Sequence, residues 1–220
     1  DNIRLVNIDE TPKGYSPKKY ALTKGIEASK NEIIILTDAD CLVNKYWVEA
    51  MVSNFSDDVD LVAGFSRTKI AKWGKVSLAV QFEFFDFLVM FMAAAGAILN
   101  GKAFSCSNQN IAYRRDSFYN VGGFEKIKQI TSGDDVNLLQ LFRLANMKIR
   151  FSMIPHTYAY TKPISDWAQL LNQRSRWASN SKWQLLLNPE FFIYLCVIFI
   201  LNVTIITAIF FNWRMSLLLF

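Results

Sequence analysis

Cysteine is scarce in this chain and poorly placed for any shared task. Cys41, Cys106 and Cys196 stand far apart in 220 residues, with neither metal-ligand spacing nor a disulfide framework among them. Buried thiols in a reducing compartment are the simplest reading. Clustered positive charge is missing too. Lys and Arg exceed Asp and Glu by enough to give a net charge of +5, but they are scattered, without the stripe that a nucleic-acid reader needs, which sets nucleic acid aside as a partner. A surplus of that sign suits phosphate-bearing ligands or an anionic membrane surface. No internal repeat or low-complexity segment interrupts the chain, which excludes solenoid architectures. No signal peptide is visible in these residues, and a missing start is expected to lie with whatever precedes Asp1. The chain opens without Met and closes inside the apolar run Leu217 to Phe220, so both termini are expected to be cut ends of something longer.

Apolar residues, by contrast, are in excess. At 52% hydrophobic the chain carries more than a soluble domain normally needs, and part of the surplus is expected in lipid. The run that organises the rest is Ile33 to Asp40. Four consecutive apolar residues, three of them β-branched, predict a strand buried on both faces, and it stops at two carboxylates one residue apart. Ligands of open α/β sheets bind beyond the carboxyl ends of strands, where Asp38 and Asp40 can both face a hard cation held by a diphosphate. Asp58 and Asp60 repeat the spacing, but they precede the apolar run at Leu61 and read as a solvated turn into a strand.

Along the chain, Ile3 to Ile8 alternates weakly and predicts a strand. Ser16-Pro17 starts a helix that runs to Lys30, with the serine hydroxyl as cap and the proline in the first turn. Asn44 caps a helix through Phe55, and strands are expected at Leu61 to Phe65 and Asn110 to Tyr113. This alternation predicts a mainly parallel sheet. Val76 to Leu99 is apolar and aromatic but split by Glu83 and Asp86, which leaves an uncharged core from Phe87 to Leu99 that is short for a span; it is expected to lie against the bilayer surface or the flank of the domain. Gly122-Gly123 marks a tight turn with close backbone approach. Thr131 to Asp135 opens a helix, with Ser132 and Asp135 as a capping pair. Strands at Ile149 to Ile154 and Thr157 to Thr161 are followed by a helix from Ser165 to Leu187. Its Gln173, Arg176, Trp177, Asn180 and Gln184 share an arc of about 100°. Phe191 to Phe211 is free of charge and long enough to cross a bilayer. Arg174, Arg176 and Lys182 before it, against Arg214 after it, place the preceding domain on the cytoplasmic face.

Taken together, Asp38-Ala39-Asp40, Asp134-Asp135 and Gln173-Arg174-Ser175-Arg176-Trp177 resemble, in order and rough spacing, the motifs of the processive family 2 glycosyltransferases, the cellulose, hyaluronan and poly-N-acetylglucosamine synthase group. Lys18-Lys19, Ala21-Leu22, Lys24-Gly25, Asn110 to Arg115 and Val121 to Phe124 add to the likeness, which covers nearly the whole chain. The resemblance implies an α/β GT-A fold, Rossmann-like and mostly parallel, incomplete at its N-terminal end, over residues 1–164. An interfacial amphipathic helix follows over 165–189, and a truncated transmembrane segment over 190–220. It also implies inverting transfer of a hexosyl unit from a nucleotide-diphosphate sugar to a polysaccharide or glycolipid acceptor by an integral membrane protein, on the cytoplasmic side of the inner membrane if the source is bacterial.

The resemblance assigns roles by position. Asp38 and Asp40 would hold Mg2+ or Mn2+ and the donor, and Asp135 would be the general base. Asp134 would act beside it, on the acceptor or on the charge of the helix start. Gln173 and Arg176 would bind the diphosphate, and Trp177 would lie under the acceptor sugar. The two strands that carry the base-reading acids in this group are absent here. Asn108 stands where many relatives have Gly, and asparagine tolerates left-handed backbone there. Thr161 stands where non-processive relatives often have a metal-binding His, and the single histidine, His156, reads as structural. Two alternatives stay open: a transferase of single sugars to a lipid carrier, and a catalytically idle membrane scaffold.

Overall fold

The computed structural model describes residues 3–211, and these form two compact units divided after Ser179. Unit one holds two small sheets. In the larger, β1 (Ile33–Leu36), β5 (Ile111–Arg114), β3 (Leu61–Gly64) and β6 (Ile149–Ser152) lie in the order β1-β5-β3-β6. The smaller joins β2 (Leu42–Val43), β7 (Ala159–Thr161) and β4 (Ser66–Thr68), with β7 in the middle. The helices of this unit are α1 (Pro17–Ala28), α2 (Trp47–Val52), α3 (Leu78–Leu99), α4 (Arg115–Asn120), α5 (Val136–Leu144) and α6 (Trp167–Ala178).

The sheet is mixed, which corrects the expectation of a mostly parallel one. Only β3 with β6 and β4 with β7 are parallel; β5 is antiparallel to both β1 and β3, and β2 to β7. The reason is where α3 leaves the chain. The residues after it meet the carboxyl end of β1, where the Thr37 hydroxyl donates to the Gln109 carbonyl at 3.0 Å, so the next strand can only run back. β1 is also an edge strand in this sheet, with Ile34 its one fully buried residue. Its free side opens on a cavity of about 690 Å³ between α1 and α2, lined by Ile26, Ile33, Ile35, Trp47 and Val52 among others. The strand buried on all sides is β3. Ile3 to Ile8 forms no strand; no described strand pairs with it, and Ile3 and Leu5 are exposed.

Trp47, Met51, Val59, Val62 and Ala112 pack on one face of the sheet. On the other, Tyr113 stacks on Phe118 at 5.5 Å and meets Phe142 of α5 at 6.0 Å. Asn110 ties the two sheets together. Its Oδ1 accepts from Trp47 Nε1 at 3.1 Å, and its amide donates to the carbonyls of Phe65 and Thr157 at 2.9 and 2.6 Å. Gly64 must lack a side chain for this, because a Cβ there would sit 2.4 Å from the Asn110 amide nitrogen. Gly122 and Gly123 both have positive φ, and the ring of Phe118 passes 3.0 Å from where a Gly123 Cβ would be, so the close approach expected of this turn is to an aromatic core residue.

Two boundaries differ from expectation. Within Val76 to Leu99 the run Leu78–Leu99 is one unbroken helix of 22 residues, because Glu83 and Asp86 are satisfied in place. Glu83 accepts from the Ile164 N–H at 3.2 Å, and Asp86 accepts from Arg174 Nε at 2.7 Å. The helix expected over Ser165 to Leu187 is two, α6 and α7 (Ser181–Leu187), broken at Ser179-Asn180. The Ser179 hydroxyl donates to the Arg176 carbonyl at 2.7 Å, one of the side-chain bonds by which serine and asparagine compete with helix propagation. Asn180 and Gln184 therefore do not share a helix with Gln173.

Unit two contains α7 and α8 (Pro189–Phe211). α8 is long and apolar enough to cross a membrane, and almost none of it is buried. The polar groups within it bond to their own helix: Asn202, Thr204 and Thr207 each donate to the carbonyl four residues back, at 2.8 to 2.9 Å. Arg214 and the apolar run Leu217 to Phe220 lie outside the described residues.

Candidate active site

Two segments distant in sequence deliver carboxylates to one place, and a third supplies a cation. Asp38 leaves the end of β1, Asp134 and Asp135 stand at the start of α5, and the first turn of α1 supplies the cation that joins them. Lys18 Nζ lies 3.2 Å from Asp38 Oδ1 and 3.1 Å from Asp134 Oδ2. Burial works against the charge on Lys18, but the carboxylates of Asp134 and Asp38 outweigh it and lift its pKa above the ordinary lysine value. Asn108, at the entry to β5, closes the group from the far side. Its side-chain amide donates to Asp134 Oδ2, and its backbone N–H donates to Asp135 Oδ2 at 3.2 Å.

The residue that expectation treated as a glycine substitute thus holds both acids. Asn108 is absent from the positive-φ residues, of which Asn146 is the only one among described non-glycines, so left-handed backbone is not its purpose here. The loop before α5 turns instead at Gly133, with φ of 70°. The helix cap is Asp135 itself, which accepts from the Val136 N–H at 2.8 Å.

Asp135 is tuned. Crowding of its carboxyl by protein, then the negative charge of Asp134, push its pKa above the ordinary carboxylate value, against the opposing N–H bonds from Val136 and Asn108 and the charge of Lys18. The residue as a whole keeps part of its surface in solvent. Next to Lys18, Lys19 is fully buried and donates to the carbonyls of Ile130 and Ser132, the latter at 3.4 Å. Burial lowers its pKa despite the nearby Asp134 and Asp135. The Ser16 hydroxyl, expected to cap α1, makes no cap bond and donates to the Thr131 carbonyl at 3.4 Å. Together these bonds fasten the start of α1 to the loop that presents Asp134 and Asp135.

The remaining expected residues stand apart from this group. Asp40 is exposed and accepts only a long contact from Cys41 Sγ, at 3.9 Å. Burial and the charges of Asp40 and Asp38 push the Cys41 thiol up to about 11, so it stays protonated. On α6, Gln173 accepts from Arg174 at 2.6 Å, and Arg174 lies 4.2 Å above the ring of Trp177. Trp177 also meets Phe87 of α3 at 5.9 Å. Arg176 is exposed. Among the described residues, none of Gln173, Arg176 and Trp177 makes a hydrogen bond or ion pair with Asp38, Asp134 or Asp135. His156 packs edge-on against Tyr46 at 5.8 Å. Asp60 accepts from the Ser117 hydroxyl and the Lys148 N–H, at 2.6 and 2.9 Å, and acts as a clamp in the fold.

Asp38 and Asp40 suit a divalent ion in one limited sense. No group of three or more acidic, His or Cys side chains among the described residues forms a cage. Two carboxylates at the open end of a strand match Mg2+, which is bound through one or two carboxylates with the remaining ligands from substrate phosphate and water.

A family model, Glycosyl transferase family 21, matches residues 2–220. The chain belongs to glycosyl transferase family 21. The processive synthase group of family 2 is not what this match names. Among curated proteins, the family 21 chain is similar to the probable glycosyltransferase YdaM of Bacillus subtilis (strain 168), 23% identical over 186 residues, 84% of this chain and 43% of that protein. Two solved structures are also similar. Glucosyl-3-phosphoglycerate synthase of Mycobacterium tuberculosis, in complex with phosphoglyceric acid, has a TM-score of 0.40 and 18% identity over 72% of this chain and 51% of that one. A mycobacterial protein has a TM-score of 0.37 and 16% identity, over 70% and 46%. The chain thus spans about half or less of the length of the relatives it matches.

Proposed function

We propose that this family 21 chain carries the catalytic centre of a membrane-anchored, metal-dependent, inverting glycosyltransferase, moving a hexosyl unit from a nucleotide-diphosphate sugar to a polysaccharide or glycolipid acceptor. The observation that carries this reading is the convergence of Asp38, Asp134 and Asp135 through Lys18 and Asn108.

Asp135 is the general base. An acceptor hydroxyl is a weak nucleophile until its proton is taken, and a carboxylate held above its ordinary pKa takes that proton better at neutral pH. The acceptor oxygen bonds to the anomeric carbon, the bond from that carbon to the diphosphate breaks on the opposite face, and the proton passes to Asp135. Asp134 sets the charge beside it. Asp38 and Asp40 would hold Mg2+ or Mn2+ with the donor diphosphate, and that ion supplies Lewis-acid neutralisation of the leaving group. Arg176, which is exposed, and Gln173 serve the diphosphate as charge-assisted donors when donor and α6 come together. Trp177, stiffened from one side by Arg174, offers a flat apolar platform to the acceptor sugar.

The test is to incubate the full-length protein in membranes with a panel of nucleotide sugars and to weigh the products. Transfer should occur with one class of donor and vanish in Asp135→Asn, with donor binding largely kept. Full transfer by that variant overturns the assignment, and full cellular function of the Asp135→Asn protein would identify an idle scaffold. Product length separates polymer extension from transfer of single sugars to a lipid.

A further inference from the structure

We infer that the outer face of α3, with the tryptophans on either side of it, is a docking surface for a phospholipid bilayer that contains anionic lipid. α3 passes the length and hydropathy test of a span, but its inner face is committed to protein. Phe87, Phe91, Ala94 and Ile98 are buried, and Glu83 and Asp86 are bonded to Ile164 and Arg174. It therefore does not cross a bilayer. The outer face is apolar as well. Leu78, Phe82, Phe85, Val89 and Met92 recur at the spacing of one helical stripe and are 49% to 73% exposed, a charge-free strip about 21 Å long. A helix that is apolar all round and yet half open to solvent has an unburied surface of the kind that marks an interaction site.

The rim says which partner. Trp73 and Trp167 are both exposed and both lean on the strip, Trp73 against Phe85 at 5.5 Å and Trp167 against Phe82 at 5.6 Å. Indole rings with one apolar and one wet edge prefer the headgroup level of a bilayer. Between Asp60 and Glu83 the chain carries Arg67, Lys69, Lys72 and Lys75 and no acid, and the three lysines are exposed around Trp73, where the segment enters α3. An apolar strip bordered by Trp and Lys matches an anionic lipid surface, with the strip in the acyl boundary and the ammonium groups at the phosphates. The inference does not depend on the transfer chemistry.

The full chain is reconstituted in phosphatidylcholine vesicles with and without phosphatidylglycerol, each containing a trace of lipid with a photoactivatable acyl chain. After irradiation, lipid adducts are mapped by peptide mass spectrometry. Adducts on residues 73–92, in addition to those on α8, are expected. Phe85→Glu with Val89→Glu, at exposed sites where the melting transition should hold, should abolish the adducts on α3 and leave those on α8. Replacing Lys69, Lys72 and Lys75 by Gln should lower the α3 yield only in vesicles with phosphatidylglycerol. Adducts confined to α8 overturn the proposal, as does cross-linking of two copies through the strip; an unchanged yield in the lysine variant overturns its anionic component. The readout is the adduct, so a chain inactive in transfer leaves the result intact.

Discussion

Lys18 stands 3.1 Å from Asp134, and the same ammonium group is 3.2 Å from Asp38, so one side chain on α1 spans the end of β1 and the start of α5. Lys18→Ala should leave two neighbouring carboxylates without their shared cation. Both pairs are partly exposed, so the stability cost is about 1 kcal/mol. The raised lysine pKa stabilises the fold below the unfolded lysine value, and that contribution disappears as pH rises through the folded one. Chemical denaturation at pH 7 and at high alkaline pH should show the wild type losing its advantage over Lys18→Ala in the alkaline arm. A constant difference between the two would mean that the ammonium contributes only by packing.

Asp135→Asn should be more stable than the wild type and inactive. With its folded pKa raised, Asp135 binds more protons in the folded than in the unfolded state, so stability falls as pH rises from the unfolded to the folded pKa. Asparagine removes that cost and still accepts the N–H bond of Val136 as a helix cap. Melting at pH 7 and a transfer assay on the same sample check this. A lower melting temperature would show that the carboxylate supports the fold.

Asn108→Asp should place a third carboxylate against Asp134 and Asp135. A loss of about 3 kcal/mol at neutral pH is expected, since a donor becomes an uncompensated charge. Acid should restore much of it, and Asn108→Gly, which keeps the backbone bond to Asp135, should cost less. Equal melting of Asn108→Asp and wild type across pH would show that Asn108 does not bridge the acids.

Tyr113→Phe should be neutral or stabilising by about 1 kcal/mol. The Tyr113 ring is fully buried in the core and its hydroxyl has no hydrogen-bond partner among the described residues, so removing the oxygen removes an unsatisfied polar group and leaves the stack on Phe118 in place. Clear destabilisation in urea would reveal a partner for that hydroxyl.

Much of this chain was legible from one dimension because its signals are local. Pro17 begins a helix, Gly122-Gly123 demands positive φ, and the apolar run of α8 declares itself by length and freedom from charge. The acids Asp38, Asp134 and Asp135 could be picked out for the same reason: the first follows the end of a strand, and the other two open a helix. Strand direction was not local. β5 runs antiparallel because α3 delivers the chain to the far end of β1, and no window of residues around Ile111 contains that fact.

The sequence by itself determined which side chains have the chemistry for this site: acids to take a proton or hold a cation, a fork to meet phosphate, an indole to meet a sugar ring. Only the tertiary structure decided their company, because ion pairs and hydrogen bonds depend on distance in space. Lys18 passed as one of two adjacent lysines and Asn108 as a stand-in for glycine until the fold set both against the same carboxylate. The outer face of α3 belongs to the same class. Its residues are apolar in the sequence, but which of them are left in contact with solvent was settled by the sheet that packed against the other side.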